Sequence, residues 1–511
     1  MRQWMVAAKK ADFYVIAEKF HVDPVVARII RNREVIGEKN IRIYLGGNLS
    51  DLSDPHQMKD MDRLVEILAQ KIRKQVHIRI IGDYDVDGVT SSHLFLTALR
   101  RVGAKVDVVI PHRIQDGYGL SLHLLQQAKE DGVDTILTCD NGIAAIDEIA
   151  WAKAQKMTVL VTDHHAVPFE EHEGRRTEKK SLADAVVNPH QQDCGYPYKE
   201  LCGAGVAWNV IRVLYENYDM DKREAEDLLD FVAMATVCDV MSLTGENRIL
   251  VKEGLKRIRH TKNIGLQALM QACNVQPENI SAYHFGYVLG PCVNATGRLD
   301  TARHALRLFE TGQETEAEEI ARDLVDLNQE RKELTLQGVE MAKKLCEEGG
   351  YENDPVLVLF LPDVHESIAG LIAGRIREMY NRPVFVLTRG EEGVKGSGRS
   401  TENYSMYENM CGCAELFTKF GGHPMAAGLS LPEENVEKFR RKINENCPLT
   451  VEEVCPDIHI DMAMPVGYAS TELVHQFALL EPFGKDNPSP LFADRNLSIS
   501  RMWLIGKNRN V

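Results

Sequence analysis

Between about residues 75 and 190, short apolar runs alternate with amphipathic stretches. Runs rich in β-branched residues at His77–Ile81, Val106–Ile110, Thr135–Thr138, Thr158–Val161 and Ala185–Val187 read as buried strands. Helices are expected between them at Thr90–Arg101, Leu120–Glu130 and Ala144–Gln155. This rhythm predicts an α/β fold with a doubly wound parallel sheet, which takes its ligands beyond the carboxyl ends of its strands. Residues 1–45 read as a helical accessory segment that docks through Val25, Ile29, Ile30 and Ile36, and the main α/β domain is expected over 46–312. From 313 to 348 the pattern is one long charged helix. Ile320, Leu324, Leu327, Leu334, Met341 and Leu345 keep spacings of three and four, with Arg331 and Gly338 in the gaps. Two weak positions in roughly four heptads make a poor dimer seam, so the helix is expected to connect two domains. A second α/β unit follows over 349–450, with strands at Val356–Leu361 and Pro383–Leu387, a helix at Ser367–Met379 and the run Val394–Ser400. In 451–511, Ile458, Ile460 and Met462 alternate, and later strands are expected at Leu497–Ser500 and Met502–Ile505.

Length and composition refine this picture. A chain of 511 residues, 44% of them hydrophobic, has room for about three globular domains. It lacks the apolar run of about 18 residues that a membrane span needs, and its first residues lack the apolar core of a signal peptide. The eleven cysteines are scattered and odd in number, and Cys411-Gly-Cys413 has no partner pair for zinc. Reduced thiols and a cytoplasmic location are therefore expected. The formal charge of −15 rules out a basic surface throughout, but not a nucleic-acid enzyme, because binding depends on where the cations sit.

The candidate chemistry lies at the ends of the predicted strands. After Ile81, Asp83, Asp85 and Asp87 alternate with Tyr84 and Val86. In extended chain they would share a face, crowding three like charges that need a cation among them. The spelling resembles the start of a Ca²⁺-binding helix–loop–helix, but the twelfth position is Leu94 instead of Glu and a buried strand precedes it. Gly88 is expected to let the chain turn tightly. Thr135–Cys139 runs into Asp140-Asn141-Gly142, and Thr158–Val161 into Thr162-Asp163-His164-His165. Asp239 follows an apolar segment more helical than extended. Carboxylates with one or two imidazoles suit Mn²⁺ or Mg²⁺ better than zinc.

Taken in order, Asp83-Tyr-Asp-Val-Asp-Gly88, Asp140-Asn-Gly142, Asp163-His-His165 and Cys238-Asp-Val240 resemble the motifs of the DHH phosphoesterase superfamily. Gly421-Gly-His-Pro-Met-Ala-Ala-Gly428 resembles the glycine-rich motif of its companion DHHA1 domain. Pro111-His-Arg113, Gly117-Tyr-Gly-Leu120, Leu201-Cys-Gly-Ala-Gly205, Asn294-Ala-Thr-Gly-Arg298, Glu481-Pro-Phe-Gly484 and Asn487-Pro488 bring the chain closest to the superfamily's single-stranded-DNA-specific exonucleases.

The resemblance implies a DHH catalytic domain, the connecting helix, a DHHA1 domain and the beginning of an OB-like barrel. More strands would be expected after Val511 to close that barrel. It implies two ions, Mn²⁺ first and Mg²⁺ as the alternative, held by Asp83 or Asp85, Asp87, Asp140, His164 and Asp239, with Asp140 bridging. His165 would contact the scissile phosphate and Asp163 would support an imidazole. Many relatives carry His where this chain has Ile81, and Asp83 is the residue available to compensate. Ser397, Arg399, His423 and Arg113 would hold phosphates and the 5′ end, main-chain N–H groups around His423 would face an anion, and Asn294 and Arg298 would bind nearer the metals. The implied activity is 5′→3′ hydrolysis of single-stranded DNA to 5′-mononucleotides in repair and recombination, by a monomer, with single-strand-binding protein and a helicase as partners. Two other readings stay open: a phosphodiesterase for short oligonucleotides or cyclic dinucleotides, and a DNA-binding scaffold with a dead site.

Overall fold

The structure, a computed structural model, describes residues 4–113, 116–117, 119–172, 175–299, 301–351, 353–390, 393–449 and 458–504. They fall into two units: the described residues up to Gly47 together with those from Ile458 onward, and the intervening chain from Asn48.

The larger unit begins with five parallel strands: β1 (Ile78–Ile81), β2 (Val106–Val109), β3 (Thr135–Cys139), β4 (Thr158–Thr162) and β5 (Ala185–Val187). Their order is β2-β1-β3-β4-β5. Every residue of β1 and β3 is buried, because helices cover both faces of the sheet; the one charged residue among them, Arg79, is paired with Asp107 and Asp131. Strand order reverses between β1 and β3, opening a crevice at their carboxyl ends.

Helix α1 (Val86–Arg101) starts four residues before the expected Thr90. Asp85 caps it, its carboxylate accepting the Gly88 N–H at 3.0 Å. The extended alternation therefore stops at Asp85, and Asp87 lies in the first helical turn. Gly88 is helical too. Its role is close packing, since a Cβ there would lie 2.4 Å from the main-chain oxygen of Asp83.

The helices that complete this layer include α2 (Gly203–Asn217), α3 (Leu229–Cys238), α4 (Ile264–Ala272) and α5 (Gly290–Leu299). Then α6 (Glu314–Glu348) runs unbroken for 35 residues. Its buried stripe starts on Ile320 and Leu324 as expected, but continues on Thr335, Gly338, Val339, Ala342 and Cys346. The expected Leu334 and Leu345 are half-buried and Met341 is exposed. Small residues hold the contact because α7 (Glu366–Tyr380) packs closely: a Cβ on Gly338 would meet Ile372 Cδ1 at 2.3 Å.

The second sheet holds β6 (Leu357–Phe360), β7 (Val384–Gly390), β8 (Gly393–Arg399), β9 (Lys419–Gly422) and β10 (Ala426–Leu431), in the order β9-β10-β8-β7-β6. Only the β6–β7 pair is parallel.

In the smaller unit, strand Trp4–Val6 pairs in parallel with Ile458–Ile460. Val25, Val26, Ile29 and Ile30 share a core with Met464, Leu473 and Leu480, and Arg33 grips Asp461 with two hydrogen bonds of 2.7 and 3.0 Å. Thus the N-terminal helices share a body with the C-terminal segment. Ile36, expected to dock, is exposed. Leu497–Ser500 and Met502–Leu504 form no strand, and Ile505 lies outside the described residues. Leu497, Ile499, Met502, Trp503 and Leu504 stay exposed, so their alternating pattern has no sheet face to bury against. No helix among the described residues is long and apolar enough to cross a membrane.

Candidate active site

The crevice at the ends of β1 and β3 collects the acids. Asp83, Asp87, Asp140 and His164 are buried, with Asp85 and Asp239 partly open. His164 Nε2 lies 3.1 Å from Asp140 Oδ1, 3.6 Å from Asp239 Oδ2 and 3.7 Å from Asp87 Oδ2. Three sets each bring ligand atoms within 4.8 Å of one another: Asp83, Asp85 and Asp140; Asp87, His164 and Asp239; and Asp140, His164 and His165.

Local structure fixes these side chains. The Asp87 carboxylate accepts the Gly203 and Ala204 N–H groups at 2.6 and 2.8 Å, at the start of α2, where a helix N-terminus favours negative charge. Gly203 must lack a side chain, because a Cβ would lie 2.6 Å from Asp140 Cβ. Asp140 has a left-handed backbone, φ 60°, a strained setting of the kind found where structure over-determines a site. Next to it, Asn141 donates to the main-chain oxygens of Ile81 and Cys139 at 3.0 and 2.9 Å, tying the ends of β1 and β3 together. Asp239 caps the carboxyl end of α3. Asp163 accepts the N–H groups of Ile143 and His164 and lies 2.8 Å from His165 Nδ1, so the imidazole it supports is that of His165.

Burial raises the Asp140 carboxyl well above the usual range, and Asp87, Asp85, Asp239 and Asp83 push it further. Asp83 is raised well above its range by burial and by Asp85. Burial holds His164 below the ordinary imidazole value. His165 goes the other way. Burial opposes its charge, but Asp163, Asp239 and Asp87 outweigh that and lift it to about 9.

A cleft of roughly 420 Å³ is lined by Arg113, Glu366, Ser367, Lys395, Ser397 and Lys419 among others, with Lys395 paired to Glu366 at 2.8 Å. The Arg113 guanidinium lies 5.0 Å from the ring centre of Tyr84, between Asp83 and Asp85. Arg298 donates to Ser367 O at 2.7 Å, linking α5 to α7, and Arg399 donates to Gly398 O at 2.8 Å. Burial, then the charges of Arg113, Arg331 and Arg399, lower Arg298 to about 10. Arg399 is lowered by burial, Arg113 and Arg377. Arg113, Arg298 and Arg399 thus share one neighbourhood. His423 does not line the cleft. It is exposed in the β9–β10 turn, where its N–H is spent on Ala426 O at 2.8 Å. The nest expected there is a hairpin.

Residues 77–236 match the DHH family N-terminal domain, 353–447 the DHHA1 domain and 460–511 the RecJ OB domain. The single-stranded-DNA-specific exonuclease RecJ of Haemophilus influenzae is 34% identical over 95% of this chain and 86% of its own length. The chain belongs to the RecJ family. The Bacillus subtilis RecJ exonuclease is 33% identical over 97% of this chain, which spans 61% of that protein's length. The crystal structure of RecJ from Thermus thermophilus in complex with Mn²⁺ superposes with a TM-score of 0.81 at 28% identity, covering 96% of this chain and 69% of that one. The same protein in complex with Mg²⁺ gives 0.75 at 27% identity, with 96% and 67% covered.

The residues of this RecJ-family chain fit divalent ions. Asp83 Oδ1 and His164 Nε2 are buried without a hydrogen bond, and the donor set of carboxylate oxygens and imidazole suits Mn²⁺ or Mg²⁺. Ile81 is wholly buried in the apolar layer beneath the sheet, while Asp83 belongs to a ligand set. Asn294 Oδ1 accepts the Val86 N–H at 3.1 Å, so it steadies the acid loop from α5.

Sequence reasoning missed one pair of side chains near the site. Tyr283 and Tyr287 are exposed and stacked, ring centres 5.1 Å apart. The turn they sit on packs against the end of α3 that carries Asp239, with Cys238 Sγ donating to Phe285 O at 3.3 Å. Two aromatics four residues apart were the available signal.

Proposed function

We propose that this chain degrades single-stranded DNA from the 5′ end to 5′-mononucleotides, with two divalent ions, Mn²⁺ or Mg²⁺, in the acid pocket. The observation that carries this reading is the meeting of Asp83, Asp85, Asp140, His164 and Asp239 within 4.8 Å sets at the sheet's switch point. One ion would take Asp83, Asp85 and Asp140, and the other Asp87, His164 and Asp239, with Asp140 shared. Such ions, when bound, favour hydroxide over water near neutral pH and offset charge on the phosphoryl oxygens.

The protein's own groups do the rest. Asp163 fixes His165 through Nδ1, so the ring's other nitrogen is the one offered to a non-bridging oxygen of the scissile phosphate. Arg298 and Arg399 hold backbone phosphates, and Arg113 with Ser397 receives the 5′ phosphate by charge-assisted hydrogen bonds. His423 joins from the rim. Tyr283 and Tyr287 stack bases, an interaction worth about 1–3 kcal/mol per base in other single-strand binders. The attacked phosphorus breaks its bond to the 3′ oxygen of the terminal nucleotide, which leaves with the 5′ phosphate it already carried, while the attacked phosphate becomes the 5′ phosphate of the shortened strand. The same reading takes the protein to work in the cytoplasm as a monomer, in repair and recombination, beside single-strand-binding protein and a helicase.

The test uses purified protein, Mn²⁺ and end-labelled single-stranded DNA, duplex DNA and dinucleotides. Mononucleotides released progressively from a 5′ end, and absent with Asp140→Ala, are expected. Cleavage of dinucleotides alone would instead make it a small-substrate phosphodiesterase, and binding without turnover a scaffold.

A further inference from the structure

Two cysteines that the chemistry above does not use meet where the end of α4 approaches α5. Cys273 caps the carboxyl end of α4, and Cys292 lies on α5, two residues before Asn294 and six before Arg298. Their sulfurs are 3.8 Å apart. Cys292 is buried, while Cys273 is half-exposed. From α6, Asn328 Nδ2 donates to Cys292 Sγ at 3.4 Å, and Arg331 donates to the Asn328 oxygen at 3.2 and 2.8 Å. A guanidinium charge is thereby relayed through an amide onto a sulfur, the kind of environment that stabilises thiolate. The hydrogen bond from Cys273 and that from Asn328, with the charges of Lys332 and Arg331, hold the Cys292 thiol below its usual range against burial.

We propose that Cys273 and Cys292 form an oxidisable dithiol, closed to a disulfide by small-molecule disulfides, and that closure slows the enzyme by displacing α5. Cys273, the more accessible sulfur, passes its hydrogen-bonded proton to Cys292 and, as the thiolate, attacks one sulfur of the reagent, breaks its S–S bond and releases the first small thiolate, which takes that proton from Cys292 and leaves as the thiol. Cys292 then attacks Cys273 Sγ in the mixed disulfide and expels the second. The protein loses two electrons and the reagent gains them, and the two cysteine protons leave on the two small thiols. The bond requires the sulfurs to close from 3.8 Å to about 2.05 Å. That movement is imposed on the helix whose Asn294 holds the Val86 N–H and whose Arg298 reaches Ser367. Only the rate effect rests on the proposed nuclease activity; formation of the bond does not.

The experiment treats the full-length protein with hydroxyethyl disulfide, blocks the remaining thiols with iodoacetamide and maps peptides without reduction. A linked Cys273–Cys292 peptide, lost on adding dithiothreitol, is expected. Exposed Cys411 should carry only the reagent's mixed disulfide, which certifies that the reagent acted. Recovery of both cysteines alkylated, or of Cys273 as an unresolved mixed disulfide, overturns the pairing. In parallel, release of nucleotides from single-stranded DNA should fall severalfold on oxidation and return on reduction, with Cys273→Ser active and indifferent to the reagent. A linked peptide with an unchanged rate overturns the coupling to α5. A protein with no nuclease activity before oxidation would sink the functional reading while leaving the peptide result to judge the pair.

Discussion

The acid pocket and the arginine cluster of Arg113, Arg298 and Arg399 are opposite in charge but alike in discomfort. In the pocket, carboxylates crowd around His164, and burial plus mutual repulsion push Asp83 and Asp140 toward their neutral forms. In the arginine cluster, Arg298 and Arg399 donate to main-chain oxygens, and burial plus neighbouring cations weaken their hold on a proton. The difference is what each side can do about it. A carboxyl can take up a proton at moderate pH, whereas an arginine lowered to about 10 stays charged at neutral pH. On the function proposed above, the pocket should answer to pH and metal, and the arginine cluster to polyanions and salt.

The largest expected effect tests the pocket. Asp140→Ala should cut turnover of single-stranded DNA by about three orders of magnitude or more, since it removes the oxygen between both ligand sets; calorimetric titration with Mn²⁺ should lose at least one of two binding events. Next comes the arginine cluster. Arg298→Ala or Arg399→Ala should lower kcat/KM by roughly 10- to 100-fold, about 1.4–2.7 kcal/mol, and leave the Mn²⁺ titration intact. A change in metal stoichiometry there would break the division of labour.

A smaller effect reads the pocket's titration. In chelator-treated protein, the raised carboxyls of Asp83 and Asp140 keep protons that the unfolded chain gives up near 3.8. Their contribution must therefore favour unfolding increasingly as pH rises above that value. The urea midpoint of Asp83→Asn should exceed that of the wild type by a margin that grows from pH 4 to pH 7, and Mn²⁺ should reverse the ranking. The smallest effect is in the arginine cluster. Arg399→Ala should reduce the steepness of log K against log salt by about 0.7, one phosphate's worth on a single strand, and Asp83→Asn should not.

Much of the larger unit was legible because its signals are local. Buried parallel strands are short apolar runs, and an acid placed just after one has little choice but to sit at the carboxyl edge of the sheet, as Asp83 and Asp140 do. What local pattern could not carry was contact at a distance. Nothing near Asp87 announces that the start of α2 will hold its carboxylate, and nothing near Asn294 reveals its hydrogen bond to Val86. Gly88 read as a turn because glycine is commonest there, when the constraint came from the approaching Asp83 backbone. Pairing of Trp4–Val6 with Ile458–Ile460 lies beyond any window of the chain. The tail misled in the opposite way: Leu497 and Ile499 alternate like a strand, yet alternation makes one only where a neighbouring edge exists.

Helix α6 ties the tolerance of insertions and deletions to geometry. Each residue added to a continuous α-helix turns everything after it by about 100° and advances it about 1.5 Å. With Ile372 seated against Gly338, a single extra residue before that point would swing the DHHA1 sheet out of phase with the acids, although no side chain in either site had changed. The spacer should thus tolerate almost any exposed substitution and almost no change of length, which makes it the molecule's ruler.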